Sequence, residues 1–294
     1  MLQAVSCSNL SRTKDVWYTA VPPTCRCYTN LSPADYFGRT MVANLPDSIT
    51  VGIVNVSIGG CDIRIFDKDI YQDYDSTYTE KWFQDIVAAY EGNPYQYLIN
   101  LAKRAQQDGV IKGILLHQGE TNTGNSQWPS YVKKIYHDML NDLSLIADSV
   151  PLLAGELLYV NQGGCCGSMN TIINRLPDTI PTAHVISAEG CAGADVAHFS
   201  SDGYRKLGRR YAVKMLSLLG YEAVYAEAEC GTVGETYLIK SDSKASNSGY
   251  ITPLPGVKNL SMPPSDDAYI MKINFTVNAD TTYYLYGRFN NPAD

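Results

Sequence analysis

Residues 109–120 read GVIKGILLHQGE, and this stretch decides the fold. Its apolar run is continuous rather than alternating, which is typical of a strand buried on both faces, and it ends in polar side chains. The preceding segment, YQYLINLAKRAQQD at 95–108, has helical periodicity instead. A helix that leads into a strand covered on both faces predicts an α/β unit rather than an open antiparallel sheet.

The same alternation extends outward in both directions along the chain. The further predicted strands are TVGIVNVSIGG (50–60), VPLLAGELL (150–158) and PTAHVISAEG (181–190), and the further predicted helices are WPSYVKKIYHDMLNDLSLIAD (128–148) and SDGYRKLGRRYAVKMLSLLG (201–220). Pro129 suits the first turn of the former helix, and Ser200 or Ser201 is a suitable N-cap for the latter. We therefore expect residues 1–220 to form a three-layer α/β domain with a parallel sheet.

The pattern changes after Gly220. Residues 221–294 are rich in Thr, Ser, Tyr, Asn and Gly, and KINFTVNADTTYYLYGRF at 272–289 predicts two alternating strands around a polar turn. A complete β-sandwich of the immunoglobulin type needs ~100 residues, which is more than this segment offers. We predict a second, all-β domain over 221–294 that is a partial sandwich.

Composition excludes several classes of function. The chain has 294 residues and a net charge of −7, and its Lys and Arg residues are scattered, so nucleic acid is not an expected partner. No apolar run approaches the ~18 residues that span a bilayer, so no membrane association is expected. The start of the chain, MLQAVSCSN, lacks the basic and apolar regions of a signal peptide.

Eight cysteines occur in the chain, including a C-x-C pair at Cys25 and Cys27 and an adjacent pair at Cys165 and Cys166. These spacings do not resemble the paired C-x-x-C motifs of zinc sites. An even count in a Tyr-rich, Lys-poor chain favours export and disulfide bonds over free thiols. No pairing follows from the spacing alone.

Polar and glycine residues follow three of the predicted strands. Gly60 ends the first, and Gln118, Glu120 and Asn122 follow the second. Sites in open α/β sheets form at the carboxyl ends of the strands, where these residues would meet. A glycine there lets a backbone N–H approach a ligand.

A third loop, CAGADVAHFSSDGY at 191–204, places His198 three residues after Asp195. Hydrolases use this arrangement when one loop supplies both a general base and the carboxylate that orients it. Glu120 is a rival acid partner for the base, whereas His117 is expected to be structural and buried at its strand end.

Four stretches together resemble a known enzyme family: LSPADYFGRT (31–40), VNVSIGG (54–60), GILLHQGETNT (113–123) and DVAHFSSDGYRKLG (195–208). They are similar to the SGNH-type carbohydrate O-acetylesterases, specifically the acetylxylan esterase family with the HQGE motif and the related sialate O-acetylesterases. The resemblance covers most of residues 1–220. It implies deacetylation of hemicellulose such as acetylated xylan through a Ser-His-Asp acyl-enzyme, without a catalytic cofactor.

The resemblance also implies residue roles. His198 would be the general base and Asp195 its orienting acid, while the Gly60 N–H and the Gln118 side chain would bind the oxyanion. Asn122 would line the substrate pocket.

The family's nucleophilic serine lies in a G-Q-S-N-like motif that this chain lacks. SCSN at 6–9 is superficially similar, but no predicted strand precedes it, and NLSRTKDVWYTAVPP at 9–23 resembles a family segment downstream of the nucleophile. We therefore expect the nucleophile to lie upstream of residue 1, and residues 1–294 alone to have little activity.

The second domain has a resemblance of its own. YAEAECGTVGETYLIKSDSKASNSGYI at 225–251 resembles the opening of a carbohydrate-binding module of the CBM6/35 type, which implies a structural calcium near Glu227 and Glu229. The expected parent is a secreted, modular enzyme, truncated here at both ends, that acts on plant polysaccharide.

Three alternatives remain. The acetylated sugar could be a sialate or another sugar rather than xylan, because the chemistry is identical. The chain could be a non-catalytic carbohydrate-binding protein with a relic esterase domain. A lipase or peptidase is disfavoured, since no G-x-S-x-G motif is present.

Overall fold

The computed structural model describes residues 1–221, 228, 231–242, 245, 249–257 and 262–273. The chain divides into two compact units, Met1–Ala223 and Val224–Asp294. Among the described residues, no helix is both long and apolar enough to cross a bilayer.

The first unit alternates helices with short strands. Its helices are α1 (Pro33–Asn44), α2 (Tyr71–Asp75), α3 (Lys81–Ala89), α4 (Pro94–Gln106), α5 (Trp128–Asp142), α6 (Asn170–Ile173), α7 (Leu176–Thr179) and α8 (Ser201–Leu218). Its strands are β1 (Ile114–Leu116), β2 (Leu152–Gly155) and β3 (Ala183–Ile186). Short 3-10 turns lie at Ser8–Leu10, Ile63–Phe66, Ala147–Ser149, Val160–Gln162 and Gly167–Met169.

The three strands form one parallel sheet in the order β1-β2-β3. Ile114 pairs with Leu152, and Leu152 pairs with Ala183. Helix α5 connects β1 to β2, and α6 and α7 connect β2 to β3, as parallel neighbours require. The predicted α/β class and its parallel sheet are confirmed.

Helices cover both faces of this sheet. Leu152 and Ala154 of β2 belong to a core cluster with residues of α4, α5, α6 and α7. Leu153, which points to the opposite face, packs in a second cluster with residues of α8 and with Met41 of α1. The alternation along β2 therefore separates two helical layers.

The predicted helices at 95–108, 128–148 and 201–220 correspond to α4, α5 and α8. The Ser200 side chain accepts a hydrogen bond from Gly203 N and caps α8, as one of the two predicted N-caps. Helix α5 ends earlier than predicted, because the chain leaves it through Ser144 in the left-handed region at φ 54°.

The prediction of a full strand at 50–60 is wrong. The segment is extended, but its one strand-like pairing is a parallel bridge between Val54 and Leu2, in which Leu2 N donates to Ile53 O at 2.9 Å. Ile53 and Ile58 are nonetheless buried. The apolar run indicates a buried segment, and an extended segment can be buried without the continuous hydrogen-bond ladder of a strand.

The second unit contains four short strands among its described residues: β4 (Thr232–Val233), β5 (Tyr237–Ser241), β6 (Gly249–Pro253) and β7 (Met271–Lys272). β4 pairs with β7, and β5 with β6, both antiparallel. Most of the predicted hairpin at 272–289 lies outside the described residues. The complete or partial sandwich stays a prediction.

Cys7 and Cys27 form a disulfide. Five further cysteines are free thiols: Cys25, Cys61, Cys165, Cys166 and Cys191. Cys230 lies outside the described residues.

Candidate active site

The HQGE segment follows β1 directly and turns sharply at Gly119. This glycine has φ 150°, and a Cβ placed on it would lie 3.2 Å from the Met169 side chain. A bulkier residue would strain the backbone and displace Met169 from the core. The turn therefore fixes where Gln118 and Glu120 project.

The Gln118 amide is saturated by protein partners. Its Nε2 donates to Cys61 O at 3.0 Å and to Asn122 Oδ1 at 2.7 Å. Its Oε1 accepts from Trp128 Nε1 at 2.5 Å. Because both amide hydrogens are used, Gln118 joins three segments of the chain and leaves no donor for an oxyanion in this arrangement. The structure thus differs from the predicted role of Gln118.

Asn122 is also enclosed in the protein interior. It is 2% exposed, and its Oδ1 also accepts from Ile63 N at 2.9 Å. Its Nδ2 has no hydrogen-bond partner among the described residues. Asn122 therefore anchors the Ile63–Phe66 turn, and its predicted pocket-lining role stays a prediction.

The glycine turn predicted for the oxyanion site is held by the same segment. Thr121 Oγ1 donates to Gly60 O at 2.9 Å, and Gly60 adopts φ 69°. The backbone at Gly60 is exposed, and no hydrogen bond of the described residues uses its N–H. That N–H is available to an incoming ligand. The half-exposed Trp82 ring lies beside it, 3.4 Å from where a Gly60 Cβ would be.

His198 and Asp195 are in direct contact. His198 Nδ1 lies 2.9 Å from Asp195 Oδ2 and 3.0 Å from Oδ1. In the neutral tautomer with hydrogen on Nδ1, this contact leaves Nε2 as the free acceptor. The imidazole is 70% exposed, and no serine hydroxyl of the described residues hydrogen bonds to it.

The Asp195 carboxylate is held in its charged form by its own loop. Ala197 N and His198 N each donate to Asp195 Oδ1 at 2.8 Å. These backbone donors, with the His198 ring, lower the pKa of Asp195 to about 2. The acid is therefore ionised at any pH at which His198 would act as a base.

Two contacts fix the loop that carries this pair. Phe199 is 3% exposed, and its ring centroid lies 5.7 Å from that of His117 and 5.6 Å from that of Tyr204. On the other side, Cys165 N donates to Val196 O at 2.8 Å. The base is exposed, but its neighbours along the chain are anchored in the core.

Glu120, the rival acid, faces His117 instead. Its Oε1 lies 3.8 Å from His117 Nε2, and Asp195 is the acid in hydrogen-bond contact with His198. Burial lowers the pKa of His117, so that ring is neutral near pH 7. Its Nδ1 is buried without a partner among the described residues, in line with a structural role.

One buried acid escaped the sequence analysis. Glu156 directly follows β2 and is 3% exposed. Its carboxylate accepts from Tyr159 Oη at 2.7 Å, from Asn174 Nδ2 at 2.7 Å and from Ala188 N at 3.0 Å. It joins the ends of β2 and β3 beneath the loops. Its position at the end of a predicted strand was the sequence feature that could have identified it.

An acidic cluster at Asp67, Asp69 and Asp138 has the spacing of metal ligands, but Lys134 lies within it. Lys134 Nζ contacts the three carboxylates at 2.7, 2.6 and 2.9 Å. Although burial opposes the charge, these contacts raise the pKa of Lys134. An ammonium group therefore already lies among the three carboxylates. The predicted calcium ligands, Glu227 and Glu229, lie outside the described residues.

A family model supports the α/β assignment. A family model described as a carbohydrate esterase, sialic acid-specific acetylesterase, matches residues 3–217. Among solved structures, a crystal structure of a protein from Arabidopsis thaliana has a TM-score of 0.47 and 16% sequence identity. That match covers 73% of this chain and 92% of the other.

Proposed function

Because the chain belongs to the carbohydrate esterase family described as sialic acid-specific acetylesterases, we propose that it removes O-acetyl groups from a carbohydrate, with His198 as general base. The observation that carries this proposal is the pairing of the exposed His198 imidazole with the ionised Asp195 carboxylate. Asp195 accepts from Nδ1–H and so aims Nε2 at the site.

In the proposed reaction, His198 Nε2 takes the proton of a serine hydroxyl as its oxygen attacks the acetyl carbonyl. The carbon–oxygen bond to the sugar then breaks, and the imidazolium returns the proton to the leaving sugar hydroxyl. Water repeats the sequence on the acyl-enzyme and releases acetate. General-base help of this kind contributes about 10²- to 10⁴-fold.

The developing oxyanion requires preorganised donors, and the free N–H of Gly60 is the donor we assign to it. Removing one such donor costs typically ~3 kcal/mol of transition-state stabilisation. Gln118 would join it only by releasing Cys61 O or Asn122 Oδ1. We propose instead that Gln118 holds the glycine turn in position.

The substrate that we propose is acetylated xylan, and the alternative is an O-acetylated sialate. The exposed Trp82 beside Gly60 supports a sugar in either case, because an indole face suits the apolar face of a pyranose. The Cys7–Cys27 disulfide supports export, since disulfides persist in oxidising compartments.

The test measures acetate release from acetylated xylan and from O-acetylated sialic acid by the product of the open reading frame with any codons upstream of Met1 included, and by its His198→Ala variant. His137→Ala is the matched control, because His137 is an exposed histidine on α5. We expect at least a 100-fold loss for the first variant and none for the second. Equal and readily measurable rates in all three proteins would rule out His198 as the base.

The nucleophile is identified by labelling with a fluorophosphonate followed by peptide mapping. The comparison is between residues 1–294 and the product of the open reading frame with any codons upstream of Met1 included. Label on Ser6 or Ser8 would place the nucleophile within these residues, against our expectation. Label only in a longer product would support it.

A further inference from the structure

We propose that Cys165 and Cys166 form a reversible disulfide between adjacent residues, and that this bond braces the loop that carries Asp195 and His198. The two Sγ atoms lie 2.8 Å apart. Both cysteines are free thiols in this structure. The pair is separate from the groups assigned to ester hydrolysis, and its formation does not require that activity.

The surrounding glycines hold the two thiols in place. In the segment GGCCG at 163–167, a Cβ on Gly164 would lie 2.0 Å from Leu158 O. A Cβ on Gly167 would lie 2.6 Å from Val160 N. The backbone on both sides of the cysteines is therefore packed against the chain that follows β2. This packing holds the backbone of the two cysteines in place, with their Sγ atoms 2.8 Å apart.

The cysteine segment is connected directly to the loop that carries Asp195 and His198, which we call the base loop. Cys165 N donates to Val196 O at 2.8 Å, and Val196 is the residue after Asp195. The ring that a disulfide would close contains the peptide between the two cysteines and the Cα of Cys165, to which the donating nitrogen is attached. Fixing that Cα restrains the adjacent N–H, and the hydrogen bond transmits the restraint to the loop.

Exposure and redox chemistry both allow the reaction. Cys165 is exposed and Cys166 is half-buried, so an oxidant reaches the pair from solvent. With oxidised glutathione as the oxidant, the Cys165 thiolate attacks a glutathione sulfur and releases one glutathione. The Cys166 thiolate then attacks Cys165 Sγ, closes the ring and releases the second.

In the complete reaction, two cysteine thiols are oxidised to one disulfide, and one oxidised glutathione is reduced to two molecules of glutathione. Hydrogen bonding to the Cys166 thiol raises the pKa of Cys165, so the thiolate is scarce at neutral pH. Mild alkali therefore accelerates the reaction. The Cys7–Cys27 bond shows that this chain already accommodates a disulfide.

The buried thiols provide an internal comparison. Cys61 is enclosed, and burial raises the pKa of its thiol to about 12. It should stay reduced under conditions that oxidise the exposed pair. A signal from Cys165 and Cys166 alone would then show selectivity rather than general oxidation.

The experiment equilibrates the whole chain in glutathione buffers of increasing oxidised fraction, blocks free thiols with N-ethylmaleimide and maps the peptides by mass spectrometry. We expect the peptide with both cysteines to lose two hydrogen masses and to take up no maleimide in oxidising buffer. Added glutathione should restore two maleimide adducts. In Cys166→Ser, Cys165 should instead form a mixed disulfide with glutathione. Maleimide or glutathione on both wild-type cysteines throughout the series would overturn the proposal.

Hydrogen exchange tests the bracing. In the oxidised wild type, the amides of Ala197 and His198 should exchange several-fold more slowly than in the reduced form. The Cys166→Ser variant should show no such difference between the two buffers. Unchanged exchange in a chain shown by mass to be oxidised would refute the connection to the base loop, whatever the activity of the protein.

Discussion

Replacing Phe199 with Ala should destabilise the first unit and loosen the base loop together. The side chain is 3% exposed and lies in the core cluster between the sheet and α8. Truncating a buried Phe to Ala costs about 3–5 kcal/mol, through lost transfer free energy and the cavity left behind. In a unit of this size, such a loss corresponds to a fall in Tm of about 6–20 °C.

Phe199→Leu separates the aromatic contribution from the volume. Leu fills most of the space but lacks the ring contacts with His117 and Tyr204, each worth about 0.5–1.5 kcal/mol. We therefore expect a loss of about 1–3 kcal/mol. Tyr28→Ala is the matched surface control, since Tyr28 is 90% exposed, and its change should stay within about 0.5 kcal/mol.

The assay is urea unfolding followed by far-ultraviolet circular dichroism, combined with hydrogen exchange at Ala197 and His198. Both amides are bonded to Asp195 Oδ1 and should lose protection in Phe199→Ala. A loss below about 1 kcal/mol with unchanged exchange would refute the reasoning. It would mean that the loop is held without the Phe199 anchor.

Three further predictions concern other parts of the first unit. Gly208→Ala should lower the free energy of unfolding in urea by about 1–3 kcal/mol, because its Cβ would lie 2.4 Å from a carbonyl oxygen of α1. In the control Gly109→Ala the new methyl group meets open space, and stability should change by no more than about 1 kcal/mol. Replacing Cys7 and Cys27 with Ser should cost about 3 kcal/mol, from the entropy of a loop of 20 residues, and a Tm unchanged by the double substitution would contradict this. The Asp195 carboxyl, followed by carbon-13 NMR, should titrate with a pKa of about 2 rather than the ordinary 3.8. The contribution of this carboxylate to stability is then complete above pH 3.8 and is lost as the pH falls through 2. A titration midpoint near 3.8 would show that the backbone donors are absent.

The HQGE segment shows how far sequence reasoning extended. Its strand and the polar residues at the strand's end follow from apolar periodicity, and Thr121 does lie beside the glycine turn, although that turn does not end a strand of the sheet. The partner of each side chain did not follow. Gln118 has an amide group suited to bind an oxyanion, but both of its hydrogens are used by Asn122 Oδ1 nearby in the chain and by Cys61 O from a distant segment.

The base loop gave the opposite result. Asp195 and His198 are three residues apart, so their contact depends on local backbone geometry that a short motif specifies. Glu120 was a rival for the role of acid partner only because strand ends converge. The distance from each carboxylate to the His198 ring decides between the two acids. The structure pairs it with His117.

By itself, the sequence determined the α/β class, the helices α4, α5 and α8, and the local pair at 195 and 198, because periodic burial and contacts within a few residues depend on neighbouring positions in the chain. Only the tertiary structure decided that Gln118 and Asn122 are saturated or enclosed, that Glu156 joins two strand ends and that Cys165 supports the base loop. Each of these depends on hydrogen bonds between distant segments. Such bonds are directional within a few tenths of an ångström, and the pattern of apolar residues does not encode that precision.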